Sequence, residues 1–206
     1  MTIMAAPPYD WLDSMIWAVG ISSILIGAAG LKYRIREGGM LDGSAQELSS
    51  FGIVLALTGV FLFISGLAIG IMWPFPMSGG IYNVIFSGSS ALGGIMLLAI
   101  AYGLFRSLDF RPLSYIAFFF GIYLIVVAYT ILSFNLTREP LFSAILYIML
   151  GLTSIISLPA FHLRSSTALR IFGILAIITG LLWIYMGANT TYSHATPPPP
   201  TTTRTA

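Results

Sequence analysis

The sequence contains no cysteine and very few charged residues. Without cysteine there can be no disulfide, no thiolate metal site, no iron–sulfur cluster and no cysteine nucleophile. Of the 206 residues, 8% are charged and 57% are hydrophobic, and the mean hydropathy is +0.93. Soluble domains carry roughly 25% charged residues, so this chain cannot cover a globular surface with solvated side chains. The composition predicts an integral membrane protein.

Groups that could perform catalysis or hold a cofactor are also scarce. His162 and His194 are the two histidines, and His194 lies in the C-terminal tail. A bis-histidine haem, a zinc site and a di-iron site therefore lack ligands. Apart from Arg170 near the start of the sixth, no Asp, Glu, Lys or Arg falls within a predicted span, which argues against proton- or sodium-coupled transport. No Ser-His-Asp arrangement fits on one face of the membrane. We predict no catalytic residue, no cofactor and no metal. The net charge of +2 excludes a nucleic-acid partner.

Hydropathy divides the chain into a membrane domain, residues 1–188, and a Thr/Pro-rich tail, residues 189–206, which is predicted to be disordered. A bilayer core needs about 20 apolar residues per helix. The domain contains six such runs, which predicts an all-α bundle of six transmembrane helices. The third helix starts either at Ile81 or near Ser89, because the run from Ile81 is longer than a bilayer requires. The predicted spans are 14–31, 51–73, 81–105, 113–134, 141–161 and 168–187.

Basic residues predict the orientation. Seven Lys and Arg residues lie in the connections after the first, third and fifth spans, against two on the opposite face. By the positive-inside rule, both termini and residues 73–86 lie outside the cytoplasm of a cell-membrane protein. Asn135 and Asn189 begin Asn-x-Thr motifs on that outer face, so they are candidate glycosylation sites, although the motif is short and also occurs by chance.

Glycines recur at a seven-residue period in the second and sixth spans. A period of seven keeps small residues on one stripe of a helix, where they allow close helix packing. The match between these spans, with a weaker match in the fourth, suggests three related helical hairpins; a small apolar alphabet also produces such matches by chance. The predicted packing positions are Gly52, Gly59, Gly66, Gly173, Gly180 and Gly187.

Residues 73–86 are the one polar and conformationally special stretch near the membrane. Trp73 and Pro74 end the second span, because proline disfavours helix in the residue before it. Tyr82 and Asn83 follow, and Phe86 comes one turn later. Two interpretations remain open. Asn83 caps a helix by accepting amide protons from the next turn, or these five residues line an outward-facing binding site.

At these residues the sequence resembles a family of small polytopic membrane proteins of archaea and some bacteria, known only as a domain of unknown function. The shared positions are Trp73, Pro74, Tyr82, Asn83 and Phe86, and the resemblance covers roughly residues 50–185. It implies a multi-span membrane protein and no particular activity. The scarcity of Asn and Gln is compatible with a thermophilic source, and membrane composition also depletes both residues.

Two functions remain compatible with the sequence. The missing catalytic and coupling groups favour a non-enzymatic accessory or scaffold subunit of a membrane complex. The alternative is a facilitator or binder for a small neutral or lipophilic solute, using the cap formed by residues 73–86. The partners implied are the lipid bilayer and either other membrane subunits or further copies of the chain.

Overall fold

The computed structural model describes residues 11–36, 38–75, 80–163 and 165–195. Within these residues the chain forms six α-helices with short connections. All six are long and apolar enough to cross a membrane, which confirms the predicted all-α, six-span architecture. The helices are α1 (Leu12–Lys32), α2 (Ala45–Met72), α3 (Ile81–Arg106), α4 (Arg111–Phe134), α5 (Pro140–His162) and α6 (Ser166–Ala195). The third helix thus begins at Ile81, the earlier of the two predicted starts.

Helix α2 begins at Ala45, six residues before the predicted span, because a capping box precedes the apolar run. The hydroxyl of Ser44 accepts a hydrogen bond from the Glu47 backbone N–H at 3.3 Å. The Ser44 hydroxyl also lies 3.3 Å from the Glu47 carboxylate, and Lys32 at the end of α1 donates to that carboxylate at 2.8 Å. A Ser followed three residues later by Glu is a helix-start signature, and it adds a polar turn outside the membrane.

Helix α6 continues to Ala195, so residues 189–195 are helical rather than part of a disordered tail. Contacts with the start of α1 hold this extension. The indole N–H of Trp17 donates to the Thr191 hydroxyl at 3.3 Å, and His194 Nδ1 lies 2.9 Å from an Asp13 carboxylate oxygen. The remainder of the predicted tail, residues 196–206, lies outside the described residues.

The helices pack as three tight antiparallel pairs: α1 with α6, α2 with α3, and α4 with α5. The three predicted hairpins, joined through the basic connections, are α1–α2, α3–α4 and α5–α6. The tight partners are therefore not the two helices of one hairpin. Each hairpin contributes one helix to each of two neighbouring pairs, and the three pairs surround a common centre.

Backbone approach at glycines makes these pairs tight. A Cβ atom placed on Gly27 of α1 would lie 2.6 Å from the Gly173 carbonyl oxygen of α6, and one on Gly180 would lie 2.7 Å from that of Gly20. At Gly59 the nearest atom would be the Gly94 carbonyl oxygen of α3, at 3.0 Å. Atoms this close leave no room for a side chain, so these pairs gain the van der Waals contact that drives helix association in lipid.

The other predicted packing glycines lie at helix contacts as well. Gly52 faces Phe105 and the Ala101 carbonyl of α3, and Gly66 faces Ala91. Gly187 lies against Trp17 of α1. The α4–α5 pair uses Gly121 and Gly151. A Cβ on Gly121 would lie 2.5 Å from the Gly151 carbonyl oxygen, and one on Gly151 would lie 2.8 Å from the Gly121 carbonyl oxygen.

Candidate functional site

A central cavity of about 210 Å³ lies between the three helix pairs. All six helices line it, from Leu12 at the start of α1 to Phe110 before α4. Among the described lining residues there is no Asp, Glu, Lys, Arg or His. Aliphatic and aromatic side chains predominate, and hydroxyl groups are spaced between them. The hydroxyl-bearing lining residues are Ser22, Ser23, Ser89, Ser90, Ser114, Tyr147, Thr153, Ser154 and Ser157.

An aromatic cluster lines the cavity near one end, which we call the Asn83 end. Phe86 of α3, Tyr147 of α5 and Trp183 of α6 are buried and line the cavity. The ring centroids of Phe86 and Tyr147 are 6.2 Å apart, and those of Tyr147 and Trp183 are 5.4 Å apart with an edge-to-face geometry. Three different helix pairs supply these rings, so the cluster depends on the whole bundle.

Within this cluster, Trp183 has a hydrogen-bond donor without a partner. Its side chain is 6% exposed, and the indole Nε1 is buried without a hydrogen bond to any described residue. A buried donor left unsatisfied costs roughly 1–3 kcal/mol, so such a group calls for a functional explanation. Because Trp183 lines the cavity, this N–H is a candidate donor to the oxygen atom of a solute.

Next to Trp183 the cavity offers acceptors. The Ser89 hydroxyl donates to the Ile85 carbonyl oxygen at 2.8 Å, and its oxygen lies 3.3 Å from the Tyr147 hydroxyl. Because a hydroxyl has a single hydrogen, Tyr147 is the donor in the second contact. Lone pairs of both oxygens remain free to accept. The cluster thus combines one free donor with acceptors between aromatic faces.

A second aromatic cluster lines the opposite end, the Phe110 end. The centroids of Phe110 and Phe161 are 5.6 Å apart and stacked, and those of Phe161 and Phe172 are 6.4 Å apart. All three side chains are buried and line the cavity together with Leu41. In the connection between α1 and α2, Ile35 and Leu41 form an antiparallel β-bridge, so this part of the chain is a small β-hairpin.

Polar contacts fix this hairpin to the connection between α3 and α4. The backbone N–H of Phe110 donates to the Gly39 carbonyl oxygen at 3.2 Å. Arg111 donates to both carboxylate oxygens of Asp109, from Nε to Oδ1 at 3.0 Å and from Nη2 to Oδ2 at 2.6 Å, and these hydrogen bonds hold the pKa of Asp109 below its usual value. This half-exposed pair stabilises the folded state at pH values above the pKa that the Asp109 carboxyl has in the unfolded chain. The contribution is lost as the pH falls through the lowered pKa of the folded state.

The structure separates the five residues predicted as a cap or binding site. Phe86 alone lines the central cavity. Trp73 is half exposed, has φ 50°, and lies over Gly80, while Pro74 is exposed. Tyr82 bridges Phe75 and Phe86, with ring centroids 5.1 and 4.3 Å away. Residues 76–79 of this stretch lie outside the described residues.

Asn83 is fully buried and does not cap its helix as predicted. Gly80 occupies the N-cap position, with φ 87°. The Asn83 side chain instead pairs with the backbone of Phe75: its Oδ1 accepts from the Phe75 N–H at 3.0 Å, and its amide donates to the Phe75 carbonyl oxygen. An amide side chain offers both groups, so Asn83 anchors the connection between α2 and α3.

Replacing Asn83 by alanine should lower the free energy of unfolding by about 2–4 kcal/mol, because two hydrogen bonds are lost and both polar backbone groups of Phe75 are left without them. Thermal unfolding in detergent micelles measures the change. Asn189→Ala, at an exposed position of α6, is the control and should leave the midpoint unchanged. Equal midpoints for the two variants would contradict the anchoring role.

The predicted glycosylation sites both lie exposed at the Asn83 end. Asn135 follows the last residue of α4 and has φ 48°, whereas Asn189 lies within α6. Thr137 and Thr191, which complete the two motifs, have hydroxyls that contact Ser143 and Trp17. Glycosylation of either asparagine stays a prediction.

Several residues of the cavity escaped the sequence analysis. Ser89, Tyr147 and Trp183 carry no local motif. The predicted sixth span ends at residue 187, so Trp183 resembles the tryptophans that concentrate at membrane interfaces. The structure continues α6 for 12 residues beyond Trp183. Its free N–H depends on contacts between helices and cannot be read locally.

Comparisons with known proteins agree with this architecture. The family model described as "Protein of unknown function (DUF981)" matches residues 4–196. The chain belongs to the DUF981 family. This confirms the resemblance to a membrane-protein family of unknown function. A sequence search of curated proteins finds no match for this DUF981 chain.

Two solved structures share the fold of the DUF981 chain. One is the cryo-EM structure of the Helicobacter pylori urea channel in its closed state, with a TM-score of 0.72 and 18% identity over 90% of this chain and 100% of the channel chain. The other is the crystal structure of the urea channel from the same gastric pathogen, with a TM-score of 0.64 and 20% identity over 89% and 98% of the two chains. At such identities the likeness shows the fold alone.

Proposed function

We propose that this protein lets a small neutral solute cross the membrane through its central cavity. The observation that carries the proposal is the cavity itself, which is lined by all six helices and extends between aromatic clusters near both ends. The fold shared with urea channels supports the same function. The predicted accessory subunit has less support, because it rested on missing catalytic groups, which a channel also lacks.

The lining selects for neutral solutes. An ion in this cavity would lose its hydration shell and meet no opposite charge among the described lining residues, and burial of an unpaired charge is very costly. A neutral molecule loses less hydration and can bond to the Trp183 N–H and to the hydroxyls of Ser89 and Tyr147. The solute best suited to this cluster is small and flat, with an oxygen acceptor and at least one donor.

The predicted orientation forms part of the proposal. The excess of Lys and Arg at the Phe110 end supports a cytoplasmic position for that end. The Asn83 end, with the aromatic cluster around Trp183, then faces outside. Assembly with further copies or other subunits stays a prediction.

Flux through reconstituted protein tests the function. Vesicles containing the purified protein should re-swell faster than protein-free vesicles when stopped-flow mixing imposes a gradient of urea, acetamide, formamide or glycerol. The same vesicles should show no added permeability to Na⁺ or K⁺. Permeability equal to that of protein-free vesicles for all four solutes would overturn the proposal.

Replacing Trp183 by phenylalanine should lower the flux of the best carbonyl-bearing solute by roughly two- to tenfold, the value of one neutral hydrogen bond. The change keeps an aromatic ring but removes the N–H. Trp73→Phe is the matched control, because Trp73 is half exposed and outside the cavity lining. Equal losses in both variants would assign the effect to general damage.

A further inference from the structure

The three seams between the helix pairs are not equivalent. A seam here means the contact between the two helices of one hairpin: α1–α2, α3–α4 or α5–α6. In the first seam the Ser22 hydroxyl of α1 donates to the Thr58 hydroxyl of α2 at 2.8 Å. In the third, the hydroxyl oxygens of Thr153 and Thr179 are 3.1 Å apart and buried. A hydrogen bond thus crosses each of these two seams near the middle of the membrane.

Phe120 occupies the corresponding position in the α3–α4 seam. Thr58 and Thr179 directly precede Gly59 and Gly180, at which their helices pack against the tight partner. Phe120 likewise precedes Gly121, the packing glycine of α4. Phenylalanine cannot supply the hydroxyl that bridges the other two seams, so the α3–α4 seam is held differently.

Side chains lying over glycines cover the α3–α4 seam. A Cβ placed on Gly93 of α3 would lie 3.6 Å from the tip of the Phe120 ring. A Cβ placed on Gly88 would lie 2.6 Å from the Tyr123 hydroxyl. The rings of Phe120 and Tyr123 are stacked, with centroids 6.2 Å apart. A rotating aromatic side chain can uncover a glycine, whereas the tight pairs would need their backbones to separate.

Both helices of the α3–α4 seam contribute to the cavity wall. Ser90 and Gly93 of α3 and Ala117 and Phe120 of α4 line the cavity, and all four are half exposed. Because the Phe120 ring lies over Gly93, this ring stands between the two helices at the cavity wall.

We propose that the central cavity has a side entrance from the bilayer between α3 and α4, covered by Phe120, which admits small neutral apolar molecules dissolved in the membrane. The cavity volume of about 210 Å³ and its mainly aliphatic and aromatic lining suit such molecules, since an apolar cavity of about 150 Å³ in another protein binds benzene. This inference rests on the proposed solute-conducting cavity and adds a second route and a second class of solute.

Photolabelling from the lipid phase tests the entrance. Vesicles with reconstituted protein are loaded with a small phenyl diazirine that partitions into the bilayer, and labelled residues are mapped by mass spectrometry after illumination. We expect labelling of Met96, which is buried in the cavity lining, as well as of Leu57, which faces lipid. Phe120→Ala should raise labelling of Met96 severalfold relative to Leu57.

The neighbouring residue provides the matched control. Phe119→Ala removes a lipid-facing ring that is 67% exposed and should leave the Met96 to Leu57 ratio unchanged. Because the chain has no cysteine, a Gly93→Cys and Phe120→Cys pair can be closed with a short bis-thiosulfonate linker. Closure should lower Met96 labelling severalfold, and reduction of the linker should restore it.

The outcomes separate this inference from the proposed function. If Met96 labelling changes neither in Phe120→Ala nor on closure of the linker, the side entrance is overturned, even where urea or acetamide flux persists. Loss of flux for every aqueous solute in the unmodified protein overturns the proposed function whatever the labelling shows. If Met96 labelling rises in Phe120→Ala and falls on closure of the linker, while the flux of aqueous solutes continues with the linker closed, both routes are supported.

Discussion

Replacing Gly27 by leucine should prevent the protein from folding into a stable bundle. A Cβ at Gly27 would lie 2.6 Å from the Gly173 carbonyl oxygen and 2.9 Å from the Ile177 backbone nitrogen. These are backbone atoms, so relief requires α1 and α6 to move apart along their shared face. We expect a loss of about 3 kcal/mol or more, the upper range for overpacking, seen as a lost monodisperse peak after extraction in mild detergent.

Gly93→Ala is the control for this prediction. A Cβ at Gly93 meets the end of the Phe120 ring at an ordinary 3.6 Å, and alanine is a better helix former than glycine. This variant should elute like the unmodified protein. Similar behaviour of Gly27→Leu would mean that the α1–α6 contact is not needed for the fold.

Replacing Phe110 by alanine should raise solute flux severalfold. Phe110 stacks on Phe161 at the Phe110 end of the cavity, and narrow hydrophobic constrictions in channels stop passage by excluding water. Removing the ring widens this constriction and lets water follow the solute. The substitution also costs about 3–5 kcal/mol of stability, so flux must be normalised to the amount of folded protein in the vesicles.

Stopped-flow swelling with urea and glycerol measures this effect. Leu108→Ala, in the same connection between α3 and α4, removes an exposed side chain outside the cavity lining and should leave flux unchanged. Flux of Phe110→Ala at or below that of the unmodified protein, with folded protein present, would place the rate-limiting constriction elsewhere.

The membrane architecture could be predicted from the sequence because hydropathy and length are local properties. Long apolar runs define six spans, and the spacing of Gly173 and Gly180 places both on one stripe of α6. The stripe does not say which helix it meets, and the partner proved to be α1, at the other end of the sequence. Which helices pair depends on how all six pack around the cavity, and no single apolar segment of the sequence contains that information.

The candidate site was harder to predict for the same reason. Asn83 is conspicuous as a polar residue near an apolar run, yet its partner is the backbone of Phe75, and the pairing is structural. Ser89 and Trp183 are inconspicuous along the chain. Their importance arises because helices from different pairs bring a hydroxyl and an unpaired indole N–H to one cavity wall. The cap formed by Ser44 and Glu47 lies within four residues, so this local signal could have placed the start of α2 from the sequence alone.

The pairing of α1 with α6 constrains how the protein is made. The first helix enters the membrane early in synthesis, yet its glycine-rich face has no permanent partner until the sixth helix has been translated and inserted. In the interval Gly20 and Gly27 face lipid or a temporary neighbour, while α2–α3 and α4–α5 can already join. Closure of the ring of six helices therefore has to wait for α6. A chain without α6 would leave the glycine-rich face of α1 without its partner.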